Sequence, residues 1–225
     1  FKRFHPSISY LMMIKNRSFW EYVNMMFNKP DPDRIKLVGP DRACAEWVLR
    51  NGGAVSWEDG KKLKDYNLLP SDNSPVPKLL EIDGSNSSIS HYGFPHLSGC
   101  AKLKRILLHN CSYIDNRAMT GLSYGKNTLT HVQISKCLDI TDEGVKELKS
   151  LSNLQNLVLF DLGSVKNLEE CKQFLQSHLA KLFDMTSPST RHSFFVITET
   201  ISSGVRNFCR SSFFCKVLKP GVLGL

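Results

Sequence analysis

Short apolar strands recur along the middle of the chain at a nearly constant interval. In each copy two aliphatic residues flank one variable residue, and a further residue of the pattern follows three positions later. Three copies offset by 26 residues are Leu80, Ile82 and Ser85; Ile106, Leu108 and Cys111; and Val132, Ile134 and Cys137. A fourth copy, Leu157, Leu159 and Leu162, follows after 25 residues. Such a period indicates stacked repeats of one structural unit.

A helical pattern follows the strands and completes each repeat. Behind the third strand, Val145, Leu148 and Leu151 recur at helical spacing, and Thr141 or Asp142 is placed to cap that helix. One parallel strand and one helix per repeat, with a period of about 20–29 residues, predict an α/β leucine-rich-repeat solenoid of about four coils. We interpret the cysteines that follow the second and third strands as small core residues stacked on each other.

The pattern divides the chain into four segments. The predicted divisions are 1–17, a targeting-like or disordered segment; 18–75, an N-terminal helical capping module; 76–182, the leucine-rich repeats; and 183–225, a divergent C-terminal tail. In the helical module, Pro40 opens a helix in which Arg42, Glu46 and Arg50 form two i,i+4 ion pairs. The Asn-Gly-Gly stretch after Arg50 is expected to end that helix.

The two ends of the chain allow alternative interpretations. Residues 1–17 are basic and lack acidic residues, which is typical of a mitochondrial transit peptide, although a flexible basic tail on a cytosolic protein would look similar. In residues 183–225 the repeat pattern stops. This tail either packs over the last coil as a cap or remains unordered.

The charge of the chain is concentrated at its ends. The net charge is +8, and residues 1–20 and 186–225 each contribute +4, so the body is neutral. This distribution does not favour nucleic-acid binding, which requires basic residues gathered on the folded surface. No segment approaches the roughly 18 apolar residues of a membrane-spanning helix, so a soluble or peripheral protein is expected.

Cysteine and histidine usage does not indicate an enzyme or a zinc protein. The seven cysteines are odd in number and form no C-x-x-C pair, which argues against a disulfide framework and favours a reducing compartment. The chain carries no H-E-x-x-H or Walker motif, and His91, His96, His109 and His131 are scattered over the first three coils. We therefore expect no catalytic residues and no organic cofactor.

Several segments resemble one known family. They are FWEYVNMMFNK, DRIKLVGPDRA, EWVLRNGGAV, KDYNLLP, HNCSYID and ISKCLDITDEGV. Together they extend from about Phe19 to about Leu179, and they resemble the subunit s family, also called coupling factor B, of the mitochondrial ATP synthase. The resemblance implies a non-catalytic coupling or regulatory factor on the matrix side of the inner membrane. It would associate peripherally with the proton-translocating synthase, through protein–protein contacts with the membrane sector.

The same resemblance leaves a second role open. The family is similar to a leucine-rich-repeat factor that assembles the distal membrane arm of respiratory complex I, so complex I assembly intermediates are alternative partners. A third interpretation is an adaptor of a ubiquitin ligase, whose repeats have a similar cysteine pattern. The absence of an F-box-like helical trio before the repeats, and the basic N-terminus, count against the third interpretation.

The resemblance also implies a magnesium site. In the family the ion is held by main-chain carbonyl groups, which correspond here to Gly52 and Ser85. Carbonyl ligands suit a hard cation such as Mg²⁺ and make the identity of the side chain nearly irrelevant. This chain differs from the family at two places, and family properties there do not carry over to it. At the second coil it has His109-Asn110-Cys111 where mammalian members have a C-x-C pair, and its tail after Leu179 is different.

We expect this chain to function by surface contact. Exposed strand positions would line a concave face, and charged residues of the N-terminal module offer a second surface. The predicted partner-binding residues are Asp33, Arg34, Arg42, Arg105, His109, His131 and Gln133.

Overall fold

Seven strands form one sheet in the part of the chain that the structure describes, and five of them are parallel. The computed structural model describes residues 19–71 and 74–179 in full, and the backbone of residues 194–198. The strands are β1 (Ala54–Trp57), β2 (Lys62–Leu63), β3 (Leu79–Asp83), β4 (Arg105–His109), β5 (His131–Ser135), β6 (Asn156–Phe160) and β7 (Phe194–Thr198), in the order β2-β1-β3-β4-β5-β6-β7. Strands β3 to β7 are parallel, whereas β1 and β2 are antiparallel to their neighbours.

Helices lie between the strands and before the sheet. They are α1 (19–28), α2 (Pro32–Val38), α3 (Pro40–Arg50), α4 (Asn116–Gly121), α5 (Asp142–Glu147) and α6 (Leu168–His178). Short 3-10 helices cover Tyr66–Leu68, His91–Leu97, Leu122–Gly125 and Leu148–Ser150. The prediction of an α/β fold with short parallel strands and intervening helices is therefore confirmed.

The register of the parallel strands places aliphatic residues in rows. Ile82, Ile106, Val132 and Leu157 are paired across β3, β4, β5 and β6, and all four are buried in the core. The predicted register is confirmed from β4 onward but is wrong for β3, where Ile82 rather than Leu80 pairs with Ile106. The error is two residues, so it leaves every side chain on its predicted face.

A residue with a left-handed backbone follows each parallel strand from β3 to β6. These residues are Asn86, Asn110, Lys136 and Asp161, with φ between 53° and 56°. Asn and Asp tolerate this conformation better than most residues. The next residue in each turn is Ser87, Cys111, Cys137 or Leu162, so Ser87 and not Ser85 is the counterpart of the two cysteines. The Cys111 thiol donates to the carbonyl oxygen of Gly84 in the preceding turn, at 2.9 Å.

Hydrogen bonds between successive turns hold the helices in place. Asp115 caps α4 by accepting from the backbone of Arg117 and Ala118. The Thr141 side chain makes no capping bond to α5, and its hydroxyl accepts from the Asn116 amide at 2.8 Å. The Asp142 carboxylate instead accepts from the backbone of residues 166 and 167 in the next unit.

The N-terminal segment is not helical throughout. Helices α1 to α3 are followed by β1 and β2, and β1 pairs antiparallel with β3 at the sheet edge. The buried side-chain amide of Asn28 joins this segment to the sheet. Its oxygen accepts from the Trp47 indole at 2.9 Å and from the Ser90 backbone at 3.0 Å. The prediction of a purely helical module missed the two strands, because the stretch AVSW lacks a clear alternating pattern.

The remaining segment predictions fall mainly on residues that the structure does not describe. The targeting-like segment 1–17 lies outside the described residues, and so does most of the tail at 183–225. Strand β7 falls within that tail, to which the sequence pattern assigned no fold, and it pairs in parallel with β6. No helix within the described ranges combines the length and the apolar content needed to cross a bilayer. The four predicted segment boundaries stay predictions.

Leu108 provides a test of the stacked core. It is fully buried beside Ile134 of the next strand, so Leu108→Asp would bury an unpaired charge. We expect the free energy of unfolding to fall by about 4 kcal/mol or more, measured by urea denaturation followed by circular dichroism. The matched control is Leu138→Asp, at a leucine that is 64% exposed. A Leu108→Asp variant as stable as the control would contradict the register.

Candidate interaction surface and metal site

Alternate residues of the parallel strands point away from the core and form a second face of the sheet. The pairing aligns them in three rows: Glu81, Arg105, His131 and Asn156; Asp83, Leu107, Gln133 and Val158; and His109, Ser135 and Phe160. We call this set the outward face. It contains four of the predicted partner-binding residues: Arg105, His109, His131 and Gln133. Sequence reasoning missed Ser135 and Phe160, although extending the strand alternation by one step would have found both.

Much of the outward face is buried. Leu107, Val158 and Phe160 are at most 6% exposed, yet they do not belong to the hydrophobic core cluster. Gln133 in the middle row is wholly buried, so the expectation of an exposed contact residue there is wrong. Both amide atoms of Gln133 lack a hydrogen-bond partner. An unpaired buried amide destabilises the folded chain.

Two histidines on the outward face are held in the neutral form. The Nδ1 atom of His109 lies 2.8 Å from the hydroxyl of Ser135, and burial lowers the pKa of His109. Burial, with the nearby positive charges of Arg105 and Lys104, lowers the pKa of His131 to about 4. Both rings are therefore uncharged near neutral pH. Arg105 forms an ion pair with Glu81 in the same row.

The charged residues of the N-terminal module converge on one buried carboxylate. Glu46 is 1% exposed and binds three guanidinium groups: Arg34 at 2.6 Å, Arg42 at 3.1 Å and Arg50 at 3.4 Å. Arg34 engages both carboxylate oxygens. The two predicted i,i+4 ion pairs within α3 are confirmed, and the third partner, Arg34, comes from α2.

The predicted partner-binding residues of the N-terminal module differ in their accessibility. Arg42 is buried and also donates to the carbonyl oxygens of Pro70 and Ser71, so it holds the module together and is not available at the surface. Arg34 remains partly accessible beside Glu46. The side chain of Asp33 is 94% exposed, with Lys36 at 3.5 Å.

The two predicted magnesium ligands lie on adjacent segments. Gly52 follows the end of α3 with a φ of 85°, and a Cβ atom at the neighbouring Gly53 would come within 2.9 Å of the carbonyl oxygen of Asp83. Asp83 accepts from the backbone of Ser85 at 3.0 Å, which fixes the turn after β3. The Ser85 hydroxyl is buried and has no hydrogen-bond partner. An orphaned hydroxyl oxygen is compatible with a hard cation.

Side-chain metal ligands do not converge in the described residues. No group of three or more His, Cys, Asp or Glu side chains there is arranged to hold a metal ion. The thiols of Cys44, Cys100, Cys111, Cys137 and Cys171 are all free and buried.

Comparisons with known proteins identify relatives of high similarity over most of the chain. ATP synthase subunit s, mitochondrial, of Rattus norvegicus is 40% identical over 178 residues, covering 77% of this chain and 85% of the relative. The protein of the same name from Homo sapiens is 39% identical over 171 residues, covering 74% of this chain and 86% of the relative.

A more distant relative carries a different name. Distal membrane arm assembly component 2 of Drosophila melanogaster is 26% identical over 157 residues, covering 67% of this chain and 55% of the relative. No protein-family model matches the chain.

The order of the elements and the pairing of the strands define a small mixed α/β protein. It is built from successive strand-and-helix units on a mostly parallel sheet. The similarity to the rat and human proteins covers nearly their whole length. The chain belongs to the mitochondrial ATP synthase subunit s family.

Glu46 provides a test of the N-terminal module. We expect Glu46→Gln to lower the free energy of unfolding by about 3 kcal/mol, because three guanidinium groups would lose the carboxylate that neutralises them. Thermal and urea denaturation measure the change. The control, Glu169→Gln, removes the same charge from an exposed carboxylate that pairs with Lys172, and should change stability by less than about 0.5 kcal/mol. Equal effects of the two substitutions would contradict a structural role for the cluster.

Proposed function

We propose that this protein is a non-catalytic coupling or regulatory factor of the mitochondrial proton-translocating ATP synthase and acts through protein–protein contacts. The observation that carries the proposal is the 39–40% identity to proteins named ATP synthase subunit s, over 85–86% of their length. The protein would lie at the matrix side of the inner membrane as a peripheral component. Its partner would be the membrane sector of the synthase.

The repeating units support a leucine-rich-repeat solenoid as the finer description of the fold. The strands return in register, and each of four turns has a left-handed residue at the same position. In such solenoids the strand face opposite the core presents side chains to other proteins. Here it would present the polar groups of Arg105, His109 and His131, whereas Gln133 is buried and takes no part.

The polar groups of this face favour a polypeptide as its occupant. A passing main chain offers carbonyl acceptors and N–H donors, which can pair with the Arg105 guanidinium and with the neutral imidazoles of His109 and His131. Asp33 and Arg34 in the N-terminal module would extend the contact surface. The catalytic step would belong to the partner complex and not to this chain.

A second candidate function is assembly of the distal membrane arm of respiratory complex I. The Drosophila melanogaster relative named for that role supports it, at 26% identity over 67% of this chain. The ATP synthase role has the stronger support, because the relatives that carry it are more similar and are matched over more of their length.

Affinity purification separates the two functions. We expect a tagged full-length chain, recovered from gently solubilised mitochondria, to bring down ATP synthase subunits identifiable by mass spectrometry. Asp33→Lys should reduce that recovery severalfold, because it reverses the charge of a highly exposed predicted contact residue. Glu143→Lys makes the same charge reversal at an exposed position outside the predicted contacts, and should leave the recovery unchanged.

Other results of the purification would change the assignment. Recovery of complex I membrane-arm intermediates without ATP synthase subunits would support the assembly role instead. Absence of the tagged protein from mitochondria would contradict both functions.

We further propose that the carbonyl oxygens of Gly52 and Ser85 hold Mg²⁺, with water completing its coordination. The ion would link the end of α3 to the turn after β3 and so stabilise the junction between the N-terminal module and the sheet. The Ser85 hydroxyl is a competing ligand, because it is buried beside that turn without a partner.

Calorimetric titration of the EDTA-treated full chain with MgCl₂ tests the magnesium site. We expect saturable binding that Ser85→Ala retains, because the ligand is the carbonyl oxygen and not the hydroxyl. KCl at matched ionic strength is the control for a general salt effect. Loss of binding in Ser85→Ala would identify the hydroxyl as the ligand, and absence of magnesium-specific heat would contradict the site.

A further inference from the structure

A groove of about 550 Å³ lies between α1 and the turns that follow β3, β4 and β5. Helix α1 contributes Trp20 and Glu21 to it. Other lining residues are Ser90, His91, Tyr92, Tyr113, Asp115, Arg117 and Asp139. The groove involves neither the outward face of the sheet nor the residues that the sequence pattern selected as contacts. We call it the α1 groove.

Aromatic side chains are unusually accessible at the rim of the α1 groove. Trp20 is 60% exposed and Tyr113 is 43% exposed, and Tyr92 also lines the groove. Exposed clusters of large aromatic residues mark interaction sites more often than inert surface. Their rings offer flat, electron-rich faces that attract cations.

The charges in the α1 groove leave an acidic excess. Asp115 pairs with Arg117 at 2.7 Å, so these two residues neutralise each other. Burial, together with the positive charge of Arg117, lowers the pKa of His91, which is therefore uncharged near neutral pH. The carboxylates of Glu21 and Asp139 form no ion pair or side-chain hydrogen bond with the described residues, and Glu21 interacts with Arg117 and His91 only through longer-range electrostatics. Two carboxylates thus remain available to a ligand.

A buried hydroxyl provides a second, independent sign of a ligand. Ser90 lines the groove and is 2% exposed, and its Oγ atom has no hydrogen-bond partner. The Ser90 backbone N–H donates to the side-chain oxygen of Asn28, which holds this residue in place at the groove. An orphaned hydroxyl of this kind is satisfied when a ligand supplies a donor.

We propose that the α1 groove binds an arginine-containing basic segment of a partner protein. The guanidinium group would stack on the Trp20 or Tyr113 ring and donate to the carboxylates of Glu21 and Asp139. Its five N–H donors exceed what two carboxylates use, and one of them can reach the Ser90 hydroxyl. Arginine fits better than lysine because its planar group can stack and bind a carboxylate at the same time. The inference does not depend on which respiratory complex the protein accompanies.

Trp20 makes the α1 groove directly observable. The chain has three tryptophans, and Trp47 and Trp57 are buried. Quenching of fluorescence by acrylamide in the folded protein therefore reports mainly on Trp20. The probe is an acetylated, amidated tetra-arginine peptide, added to the full chain at physiological salt, and the tetra-lysine and tetra-glutamate peptides are the comparison probes.

We expect the tetra-arginine peptide to bind saturably, to protect Trp20 from acrylamide and to bind more tightly than tetra-lysine. The double variant Glu21→Gln with Asp139→Asn should weaken binding by about tenfold or more, because it removes both charge-assisted contacts. Glu169→Gln, which changes one exposed carboxylate on α6, is the matched control and should bind as the unchanged protein does. Circular dichroism checks that all variants are folded.

Three results would overturn the proposal. The first is no saturable binding, and the second is equal affinity of the double variant and the unchanged protein. The third concerns the basic N-terminal segment of this chain, which carries Lys2, Arg3, Lys15 and Arg17. If the peptide binds only after these four residues are replaced by Gln, the groove is occupied by the chain's own segment and not by a partner.

Discussion

The structure depends on the return of every parallel strand to the same register. Ile82, Ile106, Val132 and Leu157 form one continuous buried row, although the separations between them are 24, 26 and 25 residues. A slip of one residue would exchange the core face and the outward face of a strand. The differences in length are absorbed in the segments between strands, and the left-handed residue after each strand redirects the chain in the same way in every unit.

The N-terminal module completes this array at one edge. Strand β1 pairs with β3 and so covers a hydrogen-bonding edge that would otherwise be open to other chains. The amide of Asn28 then fixes α1 against α3 and the turn at Ser90. Through these contacts the same side chain determines the shape of the α1 groove and the position of the helix that carries Glu46. The α1 groove and the Glu46 cluster therefore both depend on the contacts that close this edge of the sheet.

Sequence reasoning predicted the parts of the fold that follow from a strong period. The rows from Ile106 onward, and the ion pairs between Arg42, Glu46 and Arg50, needed only local spacing. The register of β3 was harder, because Leu80 and Ile82 fit the alternating pattern equally well. Strand β7 was missed although its sequence, FFVIT, is rich in aromatic and β-branched residues, since the repeat period does not lead to it.

The candidate site could be predicted only in part, because burial is a property of the folded assembly. Alternation placed Gln133 on the outward face correctly, but it could not show that the residue is inaccessible. Charge spacing suggested that Arg42 pairs within its helix, and it gave no sign that Pro70 and Ser71 enclose it. The α1 groove combines residues from four separate segments, so no local pattern in the sequence indicates it.

The buried cysteines have a consequence for the chemistry of the protein. The five buried thiols of the described residues are distributed along the sheet. They are Cys44 in α3, Cys100 before β4, Cys111 after β4, Cys137 after β5 and Cys171 in α6. Burial raises the pKa of Cys44, and it raises that of Cys171 to about 11, so these thiols are poor nucleophiles while the protein is folded. Packing therefore limits the oxidation of Cys44 and Cys171 while the protein is folded. The rate at which each thiol is alkylated would report how often the core around that cysteine opens.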